Sequence, residues 1–350
     1  MYETYKEVFL QKEALAKTFD SMMENADALR SFVKAYDPGE ILFVACGSSY
    51  WLSLSASLTM QRETGIRASA VKSGDIVMDE ACYRKALRRP LVICPSRSGM
   101  TAETVIAATK LKEWYGAKIL VITEYEQCPV ADLGDYVIRQ PWANEVAMMQ
   151  TRSFSSLYMS CVLLSAILSG NQSLIEDMRW YIENYDSLAQ DVARRAERIG
   201  SEEFRGYEYL VSLGTGCQYG VAVEGGYIQL EIGRFRASYF ATLEYRHGPF
   251  LTNDAKTLFA LFSTGVQIER EKKVVSELKE GKGRVIVISD NEPFEEADWN
   301  FTLGRKIAPE VVALYGVMLM QGLSYYQALR IGVNPDHGSG AGGDPFIAEV

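Results

Sequence analysis

The stretch Ile41-Leu-Phe-Val-Ala-Cys-Gly-Ser-Ser-Tyr50 joins a short apolar run to a small, hydroxyl-rich turn. A second stretch, Leu91-Val-Ile-Cys-Pro-Ser-Arg-Ser-Gly-Met-Thr101, repeats this arrangement. Segments of helical character follow both turns, over 51–62 and 102–114. A buried strand that ends in a Gly/Ser turn and opens a helix presents backbone N–H groups and hydroxyls to an anion. Two such turns predict one phosphorylated ligand at the carboxyl ends of neighbouring parallel strands.

Composition narrows the class of protein. The chain has 350 residues, of which 48% are hydrophobic and 23% charged, values typical of a well-packed globular protein with room for two domains. A formal net charge of −9 argues against nucleic acid or an anionic membrane as the main partner. The first residues lack the pattern of a signal peptide, and the longest apolar stretch, 156–168, is shorter than the roughly 20 residues of a membrane span. We therefore expect a cytoplasmic protein in which this stretch is a buried helix.

Strands and helices alternate along the chain, which predicts an α/β fold with two tandem three-layer α/β/α domains and mainly parallel sheets. The predicted strands cover 41–46, 67–72, 90–95, 117–123, 135–138, 209–213, 235–240, 257–262 and 284–288. The predicted helices comprise two within 1–38 and others at 50–63, 74–79, 101–114, 151–169, 175–199, 218–232, 267–279 and 309–331. The predicted divisions are N-terminal helices (1–38), a first domain (39–170), a helical connector (171–205), a second domain (206–332) and a loop-like tail (333–350).

The second half repeats the plan of the first without its hydroxyl motif. No S-x-S-G-x-T turn occurs there, and the corresponding strand end reads Phe262-Ser-Thr-Gly265. We therefore expect only the first half to hold phosphate. The six cysteines show no C-x-x-C pairing, so we expect neither disulfides nor a metal site.

Four stretches in order resemble the sugar isomerase (SIS) family, in its form with two SIS domains in tandem. Their order and spacing agree with that family over roughly residues 5–332. The stretches are Ala45-Cys-Gly-Ser-Ser-Tyr50, Ser96-Arg-Ser-Gly-Met-Thr101, Glu145-Val-Ala-Met-Met-Gln-Thr-Arg-Ser-Phe-Ser155, and Glu224-Gly-Gly-Tyr-Ile-Gln-Leu-Glu231 continued by Glu244-Tyr-Arg-His-Gly-Pro249. The resemblance implies flavodoxin-like SIS domains and a ligand that is a small phosphorylated sugar.

The resemblance also implies a role for individual side chains. The expected phosphate-binding residues are Ser48, Ser49, Ser96, Ser98 and Thr101. Further ligand contacts are expected from Gly47, Arg97, Glu145, Arg152 and His337. The alternative interpretation of Arg152 is an ordinary surface charge, and the alternative interpretation of His337 is an exposed histidine of a loop.

Glu231 matches the general base of the family, which moves a proton between C1 and C2 of the open-chain sugar. Glu224 lies two helical turns earlier on the same predicted face, among apolar neighbours that would raise a carboxylate pKa. A solvated helix-face carboxylate is the alternative for both. His247 matches the histidine that assists ring opening from the partner subunit, which implies a homodimer with its active site at the subunit interface.

The sequence differs from the family pattern at positions where the family has residues that take part in the reaction. Family members of the synthase type use a lysine near the C-terminus, whereas the last lysine here is Lys306. A second family lysine is replaced by Ile228, and the glutamate of S-x-S-G-E-T by Met100. We therefore expect no Schiff base. We also expect no transfer of nitrogen from glutamine, because the sequence shows neither a glutaminase domain nor an N-terminal cysteine nucleophile.

The remaining chemistry is proton transfer without a metal or organic cofactor. The leading hypothesis is deamination and isomerisation of an aminosugar phosphate. The alternatives are deglycation of a fructosamine phosphate and a non-catalytic sugar-phosphate sensor.

Overall fold

The computed structural model describes residues 1–337, which divide into two compact units. The N-terminal unit contains residues 13–145 and 152–176. The C-terminal unit contains residues 1–12, 146–151 and 177–337. The predicted tail loop falls mostly on residues 338–350, which lie outside the described residues.

Each unit is built on a five-stranded sheet in which every strand pairing is parallel. The strands are β1 (Glu40–Ala45), β2 (Ala68–Lys72), β3 (Pro90–Ser96), β4 (Lys118–Thr123), β5 (Tyr136–Arg139), β6 (Tyr209–Gly214), β7 (Ala237–Ala241), β8 (Thr257–Phe262), β9 (Arg284–Ser289) and β10 (Trp299–Thr302). The strand orders are β2-β1-β3-β4-β5 and β10-β9-β8-β6-β7, which are the same doubly wound topology. The predicted α/β class and repeated domain plan are confirmed.

Helices connect these parallel strands. They are α1 (Glu3–Phe9), α2 (Lys12–Glu24), α3 (Ala26–Tyr36), α4 (Gly47–Thr64), α5 (Ser73–Met78), α6 (Glu80–Tyr83), α7 (Ala102–Tyr115), α8 (Pro129–Asp132), α9 (Arg152–Ser169), α10 (Gln172–Ser201), α11 (Tyr219–Glu231), α12 (Ile268–Glu280) and α13 (Pro309–Arg330). Strands β1 and β3 are buried along their whole length, which explains their continuous apolar sequences.

The structure differs from the sequence-based prediction in several details, among them the short helices α6 and α8, which were not predicted. The first 38 residues contain three helices rather than two, and amide side chains compete with the backbone at both breaks: Gln11 donates to the Val8 carbonyl and Asn25 to the Ser21 carbonyl. Strand β10 was missing from the prediction. It has only four residues, and its buried Trp299 and Phe301 alternate with half-buried polar side chains, too short a pattern to separate from a loop.

Helix α9 is the predicted buried helix. It is long and apolar enough to cross a membrane by length and composition, contrary to the expectation that this stretch is too short. However, 83% of its apolar window is buried inside the protein, as in the core helix of a globular domain.

Asp336 fastens the end of the described chain to α1. Its carboxylate accepts hydrogen bonds from the backbone N–H groups of Glu3 (3.0 Å) and Thr4 (2.7 Å) and from the Thr4 hydroxyl (2.7 Å). Burial works to raise the pKa of Asp336, but these hydrogen bonds outweigh it and hold the pKa below its usual value. The carboxylate therefore caps the first turn of α1, whose N–H groups have no partner within the helix.

We predict that Asp336→Ala lowers the free energy of unfolding by about 1 kcal/mol at neutral pH, as for loss of a helix cap. Because the folded pKa is depressed, the stabilisation is present above the unfolded pKa of about 3.9 and is lost as pH falls through the folded value. Urea titrations at several pH values measure this, with the exposed Asp20→Ala as control. A loss in Asp336→Ala that persists unchanged at low pH would contradict the capping role.

Candidate functional site

The two hydroxyl-rich turns follow adjacent strands at the point where the sheet reverses its strand order. Strand β1 pairs with β2 on one side and with β3 on the other. Because parallel crossovers are right-handed, α4 and α7 leave this point on opposite faces of the sheet, and a crevice opens at the carboxyl ends of β1 and β3. The structure thus brings the two predicted phosphate turns together.

Both turns end in a helix whose first N–H groups lack helical partners. Helix α4 starts at Gly47, which has a φ of +54°, and α7 starts directly after Thr101. Gly99 has a φ of +62°, and a Cβ there would lie 2.2 Å from the Cys128 Sγ, so the second turn requires glycine.

The hydroxyls of these turns are available to a ligand. Ser48 and Ser49 are nearly buried, and within residues 1–337 neither these two hydroxyls nor that of Thr101 forms a hydrogen bond. The Ser96 hydroxyl accepts a hydrogen bond from the N–H of Gly99 (3.1 Å), and the Ser98 hydroxyl accepts one from the N–H of Met100 (3.2 Å). Each of these two hydroxyls therefore still has its own O–H free to donate. All five predicted phosphate-binding side chains therefore offer a donor at one edge of one sheet.

Buried polar contacts tie the surrounding elements together. The Thr104 hydroxyl, in the first turn of α7, lies 3.7 Å from the Cys46 Sγ at the N-cap of α4 and 3.0 Å from the Ser73 hydroxyl at the start of α5. This chain of three side chains links the segments that follow β1, β2 and β3. It holds the two turns at a defined spacing, as preorganised ligand binding requires.

Arg97 and Glu145 form an ion pair at the second turn. Their side chains approach to 3.6 Å, and that of Glu145 is fully buried. The Ser153 hydroxyl also donates to Glu145, and Arg152 donates to the carbonyls of Ala143 and Asn144. Glu145 and Arg152 thus shape the loop that orients Arg97.

The C-terminal unit repeats the second turn but uses its donors internally. Gly265 has a φ of +68°, and the Ser263 hydroxyl accepts its N–H at 3.2 Å, as Ser96 does for Gly99. Here, however, Glu271 accepts hydrogen bonds from the Ser263 hydroxyl (2.5 Å), the Thr264 N–H (2.9 Å) and the Thr264 hydroxyl (2.8 Å). A carboxylate of the same chain therefore fills the place where an anion would bind.

The sequence analysis did not identify Glu271, which is the residue that distinguishes this turn from the second hydroxyl-rich turn. Glu271 is the fourth residue after Gln267, the N-cap of α12, and the matching position in α7 is Val105, four residues after Thr101. A comparison of the first residues of α7 and α12, rather than of the turn motifs before them, would have identified Glu271 from the sequence.

Glu224 and Glu231 lie on α11, with Tyr227 between them. Glu224 is fully buried, whereas Glu231 is half-buried at the last residue of the helix. Burial, and then the charges of Glu231 and Glu224, raise the pKa of Tyr227, so the three side chains share one electrostatic environment. Of the apolar neighbours expected around these two carboxylates, Ile228 is fully buried, but Leu230 is 45% exposed.

His247 is exposed on a well-anchored loop. Tyr245 is buried among Phe240, Phe250 and Phe259, and Arg246 forms a 2.8 Å ion pair with Glu277. The loop also exposes Leu243 (42%) and Leu251 (88%), apolar side chains that favour contact with another surface.

Glu231 and His247 occupy opposite ends of the C-terminal sheet. Helix α11 runs antiparallel to the strands for 13 residues, about 20 Å, so Glu231 lies towards the amino ends of the strands. His247 follows the carboxyl end of β7. The fold of a single chain therefore does not bring the side chains of Glu231 and His247 close together.

The remaining candidate positions add little to the site. His337 is exposed, and the tail beyond it lies outside the described residues. Lys306, the last lysine, forms a 2.7 Å ion pair with Asp290 and donates to the Gly265 carbonyl. Within residues 1–337, no three His, Cys, Asp or Glu side chains are grouped so as to hold a metal ion.

Comparison with known proteins agrees with this geometry. Residues 35–169, which contain both hydroxyl-rich turns, match the SIS domain family. The chain is 25% identical over 332 residues to a glutamine–fructose-6-phosphate aminotransferase (isomerizing) of Sulfolobus acidocaldarius, covering 95% of this chain and 54% of that enzyme. This chain therefore spans about half the length of that relative.

Solved structures share the fold over nearly the whole chain. A glucosamine-6-phosphate deaminase from Thermotoga maritima superposes with a TM-score of 0.81 at 25% identity, covering 95% of this chain and 96% of that one. A tagatose-6-phosphate ketose/aldose isomerase from Escherichia coli gives a TM-score of 0.81 at 21% identity, covering 96% and 95%.

We predict that Glu271→Ala lowers the free energy of unfolding by about 3 kcal/mol, because it removes the acceptor of three hydrogen bonds at one buried turn. Glu269→Ala is the control on the same helix, since Glu269 makes only an exposed pair with Lys272 and its loss costs about 0.5 kcal/mol or less. Denaturant unfolding measures both variants. Equal losses in the two would show that Glu271 does not satisfy the turn.

Proposed function

Because residues 35–169 match the SIS domain family, we propose that this protein is a phosphosugar isomerase/deaminase acting on an open-chain aminosugar phosphate. The observation that carries the proposal is the set of unused hydroxyl donors at the β1/β3 crevice. The matching donors of the C-terminal unit are consumed by Glu271, so only the first crevice is prepared for an anion. The sugar 6-phosphates named for the relatives are ligands of the required kind.

The proposed chemistry is a proton transfer from C2 to C1 of the sugar. In the open-chain aldose, the aldehyde at C1 makes the C2 proton acidic. Glu231 takes this proton and returns it to C1, while O1 gains a proton and the amino nitrogen gives one up. This converts a 2-amino aldose into a ketose imine with a hydroxyl at C1. Water then adds at C2, and ammonia leaves to give the ketose phosphate. The turns hold the phosphate, and no step requires a lysine imine.

The position of Ile228 agrees with a reaction that does not use a Schiff base. Ile228 is fully buried, and Lys306 is engaged with Asp290. Acid–base chemistry in this proposal then rests on the carboxylate of Glu231 and the imidazole of His247. The acidic composition disfavours nucleic acid or an anionic membrane as a partner, and a cytoplasmic location is part of the proposal.

The arrangement of Glu231 and His247 supports a homodimer. The two side chains lie at opposite ends of one sheet, and the loop around His247 exposes Leu243 and Leu251. We infer that this loop packs on a second copy and supplies His247 to the partner's Glu231. His247 would then assist ring opening as a proton donor or acceptor.

We predict that Glu231→Gln slows loss of deuterium from C2 of glucosamine 6-phosphate by about 10²- to 10⁴-fold, the usual contribution of a general base. The exchange is followed by NMR, and ammonia release is measured in parallel to separate deamination from isomerisation. Glu208→Gln is the control, since Glu208 is exposed and pairs only with Lys256. Wild-type binding without any exchange would instead identify a sensor, and amine release from a fructosamine phosphate a deglycase.

We predict that mixing inactive Glu231→Gln and His247→Ala chains restores about a quarter of the wild-type activity. In a random mixture half of the dimers are hybrids, and each hybrid contains one site with both native residues. Activity is measured after exchange of subunits, which mass spectrometry of differently tagged chains confirms. Hybrid dimers that form but stay inactive would contradict a site shared between subunits.

A further inference from the structure

We propose that Lys72 is a ligand-binding residue of the phosphate site and supplies the positive charge that selects a phosphorylated sugar. This inference rests on the proposed function and deepens it. The sequence motifs do not include Lys72, because it lies outside both hydroxyl-rich turns.

The strand register places Lys72 beside the first turn. Lys72 is the last residue of β2 and pairs with Ala45, the last residue of β1. Paired parallel strands lie about 4.8 Å apart, so Lys72 starts next to the chain that enters the Cys46–Tyr50 turn. The following residue, Ser73, is hydrogen-bonded to Thr104 at the start of α7.

The side chain of Lys72 extends over the beginning of α4. Its Nζ lies 5.6 Å from the centre of the Tyr50 ring, and Tyr50 belongs to the first turn of that helix. This is the range of a cation–π contact, which ties the ammonium group to a side chain of the first turn of α4.

This location is electrostatically unfavourable for a cation without an anion. The N-terminus of an α-helix carries partial positive charge, and cations there are destabilising. Lys72 is exposed, and within residues 1–337 it forms no ion pair with a carboxylate. A local conflict of this kind is characteristic of binding sites, and a bound anion would resolve it.

The charge balance of the site leads to the same conclusion. A phosphate monoester carries about −1.5 to −2 charges at neutral pH. Ser48, Ser49 and Thr101 are neutral donors, and the cation of the second turn, Arg97, is paired with Glu145. Lys72 is then the group able to match the ligand's charge, and an ammonium suits phosphate as a point charge.

The test measures binding of inorganic phosphate to the full-length protein by isothermal titration calorimetry. We expect Lys72→Gln to weaken phosphate binding about tenfold and to reduce its dependence on salt, and Lys72→Arg to retain most of the affinity. Lys34→Gln is the matched control, because Lys34 is an exposed lysine of α3 without an ion pair among the described residues, and should bind phosphate as the wild type does.

A second pair of variants separates failure of this inference from failure of the proposed function. Ser48→Ala and Thr101→Val remove turn hydroxyls without removing charge. If they weaken phosphate binding while Lys72→Gln binds like the wild type, the role of Lys72 is wrong and the site stands. If none of these variants changes phosphate binding, both the anion site and the proposed function fail. Circular dichroism confirms that each variant is folded.

Discussion

The free backbone N–H groups at the starts of α4, α7 and α12 are the constraint on which this structure depends. The first turn of any helix leaves N–H groups without partners, and in a parallel α/β sheet these turns gather at the carboxyl edge. Each unit must satisfy them with hydroxyls, carboxylates or a ligand. The two units solve the same problem differently, and that difference locates the candidate site.

In the C-terminal unit a carboxylate of the same chain accepts the hydrogen bonds of the turn. Glu271 accepts three hydrogen bonds from the Ser263–Thr264 turn, so this turn is complete within the chain. In the N-terminal unit the matching position is Val105, which has no polar group, and the hydroxyls stay available. A single side chain per repeat thus distinguishes a turn whose donors are used within the chain from a turn whose hydroxyls stay available. Lys72 adds to this contrast, since it places a cation where the N-terminal unit already presents positive potential.

Glu231 and His247, the proposed acid–base residues, are positioned by different elements of the C-terminal unit. Helix α11 reverses direction after β6, so a side chain at its end lies far from the carboxyl edge that carries His247. Buried Tyr245 and the Arg246–Glu277 pair make the His247 loop a fixed feature of the surface. A rigid loop with exposed leucines is suited to contact with another chain, which is why the proposed mechanism is dimeric.

The sequence alone determined the α/β class, the repeated plan and most of the strands, and it located the five hydroxyl side chains of the two hydroxyl-rich turns. It could do so because apolar strand runs and Gly/Ser turns are local patterns, and their chemistry does not depend on distant residues. It did not reveal β10, the third N-terminal helix, the carboxylate of Glu271 or the position of Lys72. These depend on strand order and register, which decide which segments become neighbours. Only the tertiary structure showed which donors are already used and which remain for a ligand, because hydrogen-bond satisfaction is a property of packed neighbours rather than of sequence.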